Sequence, residues 1–226
     1  MAYQIVTTQD TIELDLVNYK GLGIFLSGGL DSATLLYCIG EYVTKENLDL
    51  KLYAITIPNK NDPTCGYFAS LVIQFVTRRF PKLQIEHIVK SISRGGGFKA
   101  KEGWRIVRKL QKEGKVEGWI EGVTLNPDDT FNFVEPNKHY IKRISERDCD
   151  IEKIKQDSEN LIRLRPFAGI NKKGVCEITE QKNIKIRLLM ITKSCTDSEQ
   201  YRCNTCWWCQ ERHWGFNIPV EHRYRV

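Results

Sequence analysis

The chain has 226 residues, 41% hydrophobic and 27% charged, a balance that fits an ordinary soluble globular domain and excludes fibrous, low-complexity and disulfide-framework classes. Its 34 Lys and Arg against 28 Asp and Glu leave a net charge of +6, which suits a phosphate-bearing ligand or RNA without choosing between them. No stretch reaches membrane-spanning length, Met1-Ala2-Tyr3-Gln4 lacks the basic start and apolar run of a secretory signal, and four of the eight cysteines crowd near the C-terminus, so we expect a reducing, cytoplasmic setting without a membrane partner.

Residues 22–26, Leu-Gly-Ile-Phe-Leu, form a short apolar run closed by turn residues and predict a buried parallel strand. A helix is expected over 33–42, with Leu35, Leu36 and Ile39 on one face. Residues 51–57 predict the next strand, stopped by Pro58. Phe68, Leu71, Val72, Phe75 and Val76 recur at helical spacing within 64–80, and Pro81 ends that helix. A third strand is expected over 84–89. A second amphipathic helix follows over 99–112, with Trp104, Val107 and Leu110 inward, and then a fourth strand over 119–123. This alternation implies an α/β, Rossmann-like parallel sheet with helices on both faces. Residues 124–139, rich in Asn, Pro and Asp, read as a loop over one end of the sheet. The polar stretch 150–160 predicts a helix, 161–166 a last short strand, and a further helix starts near Asn171. The basic residues His222, Arg223 and Arg225 read as a solvated tail.

Leu26-Ser27-Gly28-Gly29-Leu30-Asp31-Ser32 lies between the first predicted strand and the first predicted helix. Adjacent glycines let the backbone turn sharply and bring its N–H groups close to a ligand. Those groups, a helix N-terminus and two serine hydroxyls favour an anion. No Gly-Lys-Ser/Thr follows, so this is not a Walker loop. It resembles the SGGxDS signature of the ATP-pyrophosphatase superfamily, the PP-loop enzymes. That resemblance implies an adenine nucleotide alpha hydrolase-type fold in which the loop holds the pyrophosphate released from ATP. It implies that Asp31 holds Mg²⁺ or orders the loop, and we expect the adenine to rest against the end of the second strand, near Ile55 to Ile57.

Cys195, Cys203, Cys206 and Cys209 repeat a C-x2-C spacing that lets thiolates reach one ion from tight turns. Four thiolates with no open position fit structural zinc. Three cysteines at this spacing could also hold an iron–sulfur cluster, which is the rival occupant. His213 is a spare donor that a complete four-cysteine site does not need. We expect residues 1–190 to form the nucleotide domain and residues 191–226 to form a zinc-binding segment packed on it.

Together, the loop and the cluster resemble the 7-cyano-7-deazaguanine synthase family. Thr192-Lys193-Ser194-Cys195, the run Cys203 to Cys209 and Glu211-Arg212 are similar to its C-terminal zinc segment. Pro166-Phe167-Ala168-Gly169-Ile170-Asn171-Lys172 is similar to its proline-to-lysine segment, whose lysine lies near the nucleotide phosphates. Glu121-Gly122-Val123 resembles the family's fourth-strand end, with Asn126-Pro127-Asp128 in the substrate loop behind it. The resemblance implies ATP-driven conversion of 7-carboxy-7-deazaguanine to the nitrile with ammonia, or the action of a relative on a similar carboxylate. The partners would be a deazapurine and ammonia, with a homodimer allowed and nucleic acid not required. Asp31 and Lys172 become the catalytic candidates, and Arg94, Gly122, Asn126 and Asp128 the substrate candidates. The chain departs from the family at residues 91–97, which are shorter and lack its asparagine, and at Asp128-Asp129, which replaces its aspartate-cysteine. Two other classes stay open. One is a PP-loop enzyme that thiolates tRNA, which needs a reactive cysteine among Cys65, Cys149 and Cys176. The other is a nucleotide-binding module without chemistry.

Overall fold

The structure is a computed structural model, and it describes residues 2–60, 62–93, 97–133, 152–156, 160–195, 203–204 and 206–218. A hairpin of β1 (Tyr3–Val6) and β2 (Thr11–Leu14) precedes the main sheet. The sheet contains β3 (Gly21–Phe25), β4 (Lys51–Thr56), β5 (Gln84–Val89), β6 (Gly118–Ile120), β7 (Ile154–Gln156) and β8 (Ile162–Leu164). Its spatial order is β5-β4-β3-β6-β8-β7. All pairings are parallel except β7 with β8. The helices are α1 (Leu30–Glu46), α2 (Cys65–Arg79), α3 (Gly97–Lys112), α4 (Lys172–Gln181), α5 (Lys185–Ile191) and α6 (Trp207–Gly215).

Strand alternation explains the layers. In β3, Leu22 and Ile24 point into the larger core with α1, α2, α4 and α5, while Phe25 points to the smaller core with α3. A strand covered on both faces reads as a continuous apolar run, as residues 22–26 do. Chain order reverses beside β3. The crossovers through α1 and α2 build outward to β4 and β5, and the crossover through α3 returns to β6 on the other side. Open α/β sheets bind ligands at this switch point, outside the carboxyl ends of the strands. Val107 and Leu110 of α3 are buried and Trp104 packs beside them, as the helical spacing required.

Three expectations are corrected. Within 150–160 the described residues form an edge strand, β7, not a helix. Such a strand has one neighbour and exposed faces, so no buried side imposes apolar alternation on its sequence. Helix α1 is buried on nearly every side, since the hairpin covers the flank away from the sheet, and Tyr3 stacks on Tyr42 at 5.4 Å. The helix beginning near Asn171 is two helices, separated by Asn183 at φ 56°. No helix among the described residues is long and apolar enough to cross a membrane.

Candidate functional site

The loop after β3 sits at the switch point. Gly28 adopts φ +74°, a left-handed conformation that glycine tolerates at little cost. The N-terminus of α2 closes against it, and a side chain there would meet Phe68 Cβ at 2.8 Å and the Ala69 nitrogen at 2.9 Å. The Ser27 and Ser32 hydroxyls lie 3.2 Å apart, and the Gly29 N–H donates to Ser27 Oγ at 3.2 Å. Gly29 is the N-cap of α1 and brings no side chain to cap it. The first-turn N–H groups and the positive end of the helix dipole therefore suit an anion. Leu26 and Leu30 are buried and anchor the two ends of the loop.

Three further elements reach the loop. Gly122 follows β6 so closely that a side chain there would lie 3.1 Å from the Asp31 carbonyl. The Lys193 N–H donates to the Gly28 carbonyl at 2.9 Å, and its ammonium donates to Thr64 Oγ1 at 2.9 Å. Lys172, only 3% exposed, ion-pairs with both oxygens of Asp31. Glu211, 1% exposed, lies 3.7 Å from the same ammonium. Lys172 is thus a buried cation at the loop and not a solvated helix-start lysine. Asn171 caps α4 by accepting from the Lys173 N–H at 2.9 Å, and this holds the first turn that carries Lys172.

The loop after β6 is tied to the same wall. Leu125 donates to the Ile170 carbonyl at 2.8 Å, and Asn126 is buried. Asp128 accepts from the Thr130 N–H at 2.9 Å and from its hydroxyl. Partial burial works to raise the Asp128 carboxyl, but the Thr130 hydrogen bonds, Lys173 and Asn171 outweigh it and hold it low. Thr130 also accepts from Lys173 Nζ at 3.0 Å and from Trp214 Nε1 at 3.1 Å. Phe131 then packs edge-on against Trp207 and Trp214. Glu121, at the end of β6, accepts from Arg163 Nε at 2.8 Å and lies 3.4 Å from Arg165 Nε.

The four C-terminal cysteines converge, with all sulfurs within 4.8 Å of one another and Cys195 and Cys206 at 3.9 Å. A tetrahedron with arms of about 2.3 Å has edges of about 3.8 Å, so the set fits one tetrahedral ion. A cubane cluster bound by four thiolates places each on a different iron and needs them farther apart. Hydrogen bonding to the Cys195 sulfur pushes the Cys206 and Cys209 thiols up. Thiols this crowded ionise together only around a cation. Cys206 is the N-cap of α6 and Cys209 lies in its first turn. His213 is buried on the far turn and is not part of the sulfur cluster.

The structure therefore brings Ser27, Gly28, Gly29, Asp31, Ser32, Lys172 and Gly122 to one place, with Asp128 joined to it through Thr130 and Lys173. Ile57 is buried just beyond β4. Arg94 and Cys149 lie outside the described residues, as does the basic tail. Cys65 and Cys176 are buried. Burial pushes Cys65 up to about 11, with Asp62 adding to the effect, and raises Cys176 further. Sequence reasoning missed Thr64, Glu211 as a neighbour of Lys172, Lys193 at the loop and Trp214. Each acts through partners remote in sequence, and none has a local pattern that announces it.

No family model matches the chain, and no curated protein matches it. Among solved structures, the U34-tRNA thiolase NcsA from Methanococcus maripaludis with its [4Fe-4S] cluster aligns over 91% of this chain and 66% of its own, at 17% identity and a TM-score of 0.48. This chain thus spans just under two thirds of the thiolase's length. NAD+ synthetase from Burkholderia pseudomallei aligns over 92% of this chain and 79% of its own, at 13% identity and a TM-score of 0.43. Likenesses this distant assign no activity, ligand or family.

Proposed function

We propose that the protein is a PP-loop, ATP-pyrophosphatase-type enzyme that adenylates a carboxylate, with 7-carboxy-7-deazaguanine as substrate, ammonia as nucleophile and the nitrile as product. The observation that carries this reading is the buried Lys172 ammonium, paired with Asp31 at the mouth of a strand-to-helix loop whose uncapped helix N-terminus suits an anion. A cation held there offsets the charge that develops as a carboxylate oxygen attacks the α-phosphorus and pyrophosphate leaves. Ammonia then displaces AMP to give the amide. A second adenylation, on the amide oxygen, lets AMP and protons depart to leave the nitrile.

In this reading the N–H groups of residues 28–32 hold the departing pyrophosphate. Polyphosphate competes with Asp31 for Lys172, which frees the Asp31 carboxylate for Mg²⁺. Bound Mg²⁺ would supply charge neutralisation at the phosphates, and the oxygen donors of Asp31 and of ATP suit it. Asn126 and Asp128 offer polar edges to the base, and Gly122 leaves room beside the first turn of α1. The four cysteines hold zinc as a structural ion, and the mutual closeness of their sulfurs supports this over a cluster.

The test measures AMP and pyrophosphate from purified protein, ATP and Mg²⁺ with 7-carboxy-7-deazaguanine plus ammonium, beside reactions with tRNA plus a sulfur donor. Nitrile by mass spectrometry is the expected product. Asp31→Ala abolishes release, and Lys172→Ala slows it while the melting temperature shows a folded protein. AMP formed only with tRNA would overturn the substrate and favour thiolation. The buried, high-pKa Cys65 and Cys176 are poorly suited to thiolation. No turnover with either would leave a binding module.

A further inference from the structure

The cysteine segment is more intimately joined to the nucleotide site than a clamp on the tail requires. Helix α6 starts on two of the four sulfurs and ends against Lys172. A side chain at Gly215 would lie 2.6 Å from Lys172 Cγ and 2.8 Å from Cys176 Sγ, so the α6 backbone forms the wall along which the lysine stem runs. Between these ends, Glu211 is fully buried and brings its carboxylate to 3.7 Å from the Lys172 ammonium. That is ion-pair range but longer than a hydrogen bond, because the ammonium donates to both carboxylate oxygens of Asp31. The neighbouring Arg212 donates to the carbonyls of Thr192 at 3.2 Å and Leu189 at 3.3 Å, and so fixes the height of α6 against α5. Further along, Trp214 reaches Thr130 of the loop after β6.

We infer that Glu211 is a positioning residue for Lys172, and that the cysteine segment thereby builds one wall of the nucleotide site. The inference rests on the reading of Lys172 as the phosphate-facing cation. The physical reason is the burial of the ammonium. A buried charge keeps its place only while a counter-charge stays near it. If Asp31 were its sole partner, turning the ammonium toward phosphate would leave it without an anchor in the protein. Glu211 stands beside the lysine, on a helix that starts at two of the sulfurs and is tied along its length by Arg212. It holds the ammonium over the phosphates while Asp31 is released.

Glu211→Gln keeps the shape and removes the charge. We expect pyrophosphate release to fall about 10- to 100-fold in kcat, the KM for ATP to change less than about threefold, and zinc content and melting temperature to stay near the parent's. Unchanged kcat in a folded, zinc-loaded variant overturns the inference. So does a loss of activity that merely tracks loss of zinc. Should the variant not fold, the parent protein decides. In ¹⁵N-detected lysine ammonium spectra, one slowly exchanging signal, absent from Lys172→Arg, is expected both without nucleotide and with a non-hydrolysable ATP analogue. A Lys172 ammonium that exchanges like the surface lysines once the analogue is bound refutes the role of Glu211. A parent that releases no pyrophosphate with any carboxylate sinks the functional reading, whereas the spectra report on Lys172 and Glu211 either way.

Discussion

Gly28→Ala tests the geometry of the loop after β3 directly. At φ +74° a side chain costs about 1–2 kcal/mol in backbone strain alone. The added methyl would also sit 2.8 Å from Phe68 Cβ and 2.9 Å from the Ala69 nitrogen and the Cys65 carbonyl. These are not flexible chain ends but the base of a side chain and helix backbone, so α2 or the loop must move. Forcing a methyl into packed surroundings costs about 1–3 kcal/mol more. The sum, about 2–5 kcal/mol, lowers the melting temperature by about 4–20 °C for a chain of this size. Gly29→Ala is the control. Its φ of −84° suits any residue, and its nearest neighbour is the rotatable Ser27 hydroxyl at 3.2 Å. Thermal melts of both variants, with and without an ATP analogue, should show a large drop and a lost ligand-induced rise for Gly28→Ala, against a small drop for Gly29→Ala. A Gly28→Ala protein that melts within about 2 °C of the parent would refute the strained-loop argument.

Elemental analysis of the purified protein should find one zinc and no acid-labile sulfide per chain, and Cys206→Ser should lose the zinc; iron with sulfide would reverse the assignment. Burial holds the His87 imidazole below its ordinary 6.5, and Thr56, whose hydroxyl donates to the Leu26 carbonyl at 2.7 Å, accepts from His87 Nε2 at 2.9 Å. The unfolded chain therefore takes up a proton first, so this contribution to stability is complete above pH 6.5 and is lost as pH falls through the lower folded value. Urea midpoints at neutral and mildly acidic pH should show a steeper loss in the parent than in His87→Gln, and equal slopes would contradict it. Since burial pushes the Cys65 thiol up to about 11, its alkylation by iodoacetamide at mildly alkaline pH should be about 100-fold slower in the folded protein than in urea; comparable rates would reopen a catalytic role for that thiol.

The parts of the fold legible in the sequence are those set by local chemistry. Two-sided burial makes β3 a continuous apolar run, the 3.6-residue period marks α2 and α3, and Pro58 and Pro81 close their elements. The hairpin of β1 and β2 also carried a local signal, the alternation of apolar Tyr3 and Ile5 with Gln4 and of Ile12 and Leu14 with Glu13. Strand β7 carried none, because an edge strand without a covered face is free to be polar along its whole length.

The site divides in the same way. The loop Ser27 to Ser32 and the four cysteines declare themselves because each draws on particular residues at short spacing: a glycine, Gly28, where the backbone turns left-handed, and thiols close enough together to surround one ion. Lys172 was singled out only through a resemblance, since a lysine beside another lysine at a helix start has no local mark of function. The tertiary structure alone decided that Lys172 is buried, that Asp31 and Glu211 flank it, and that Lys193 fastens the Gly28 carbonyl. Those contacts join residues distant along the chain and on separate elements. Single-chain patterns record what a residue needs from its near neighbours, while the charge that a buried ammonium meets depends on how the sheet, α1, α4 and α6 pack together.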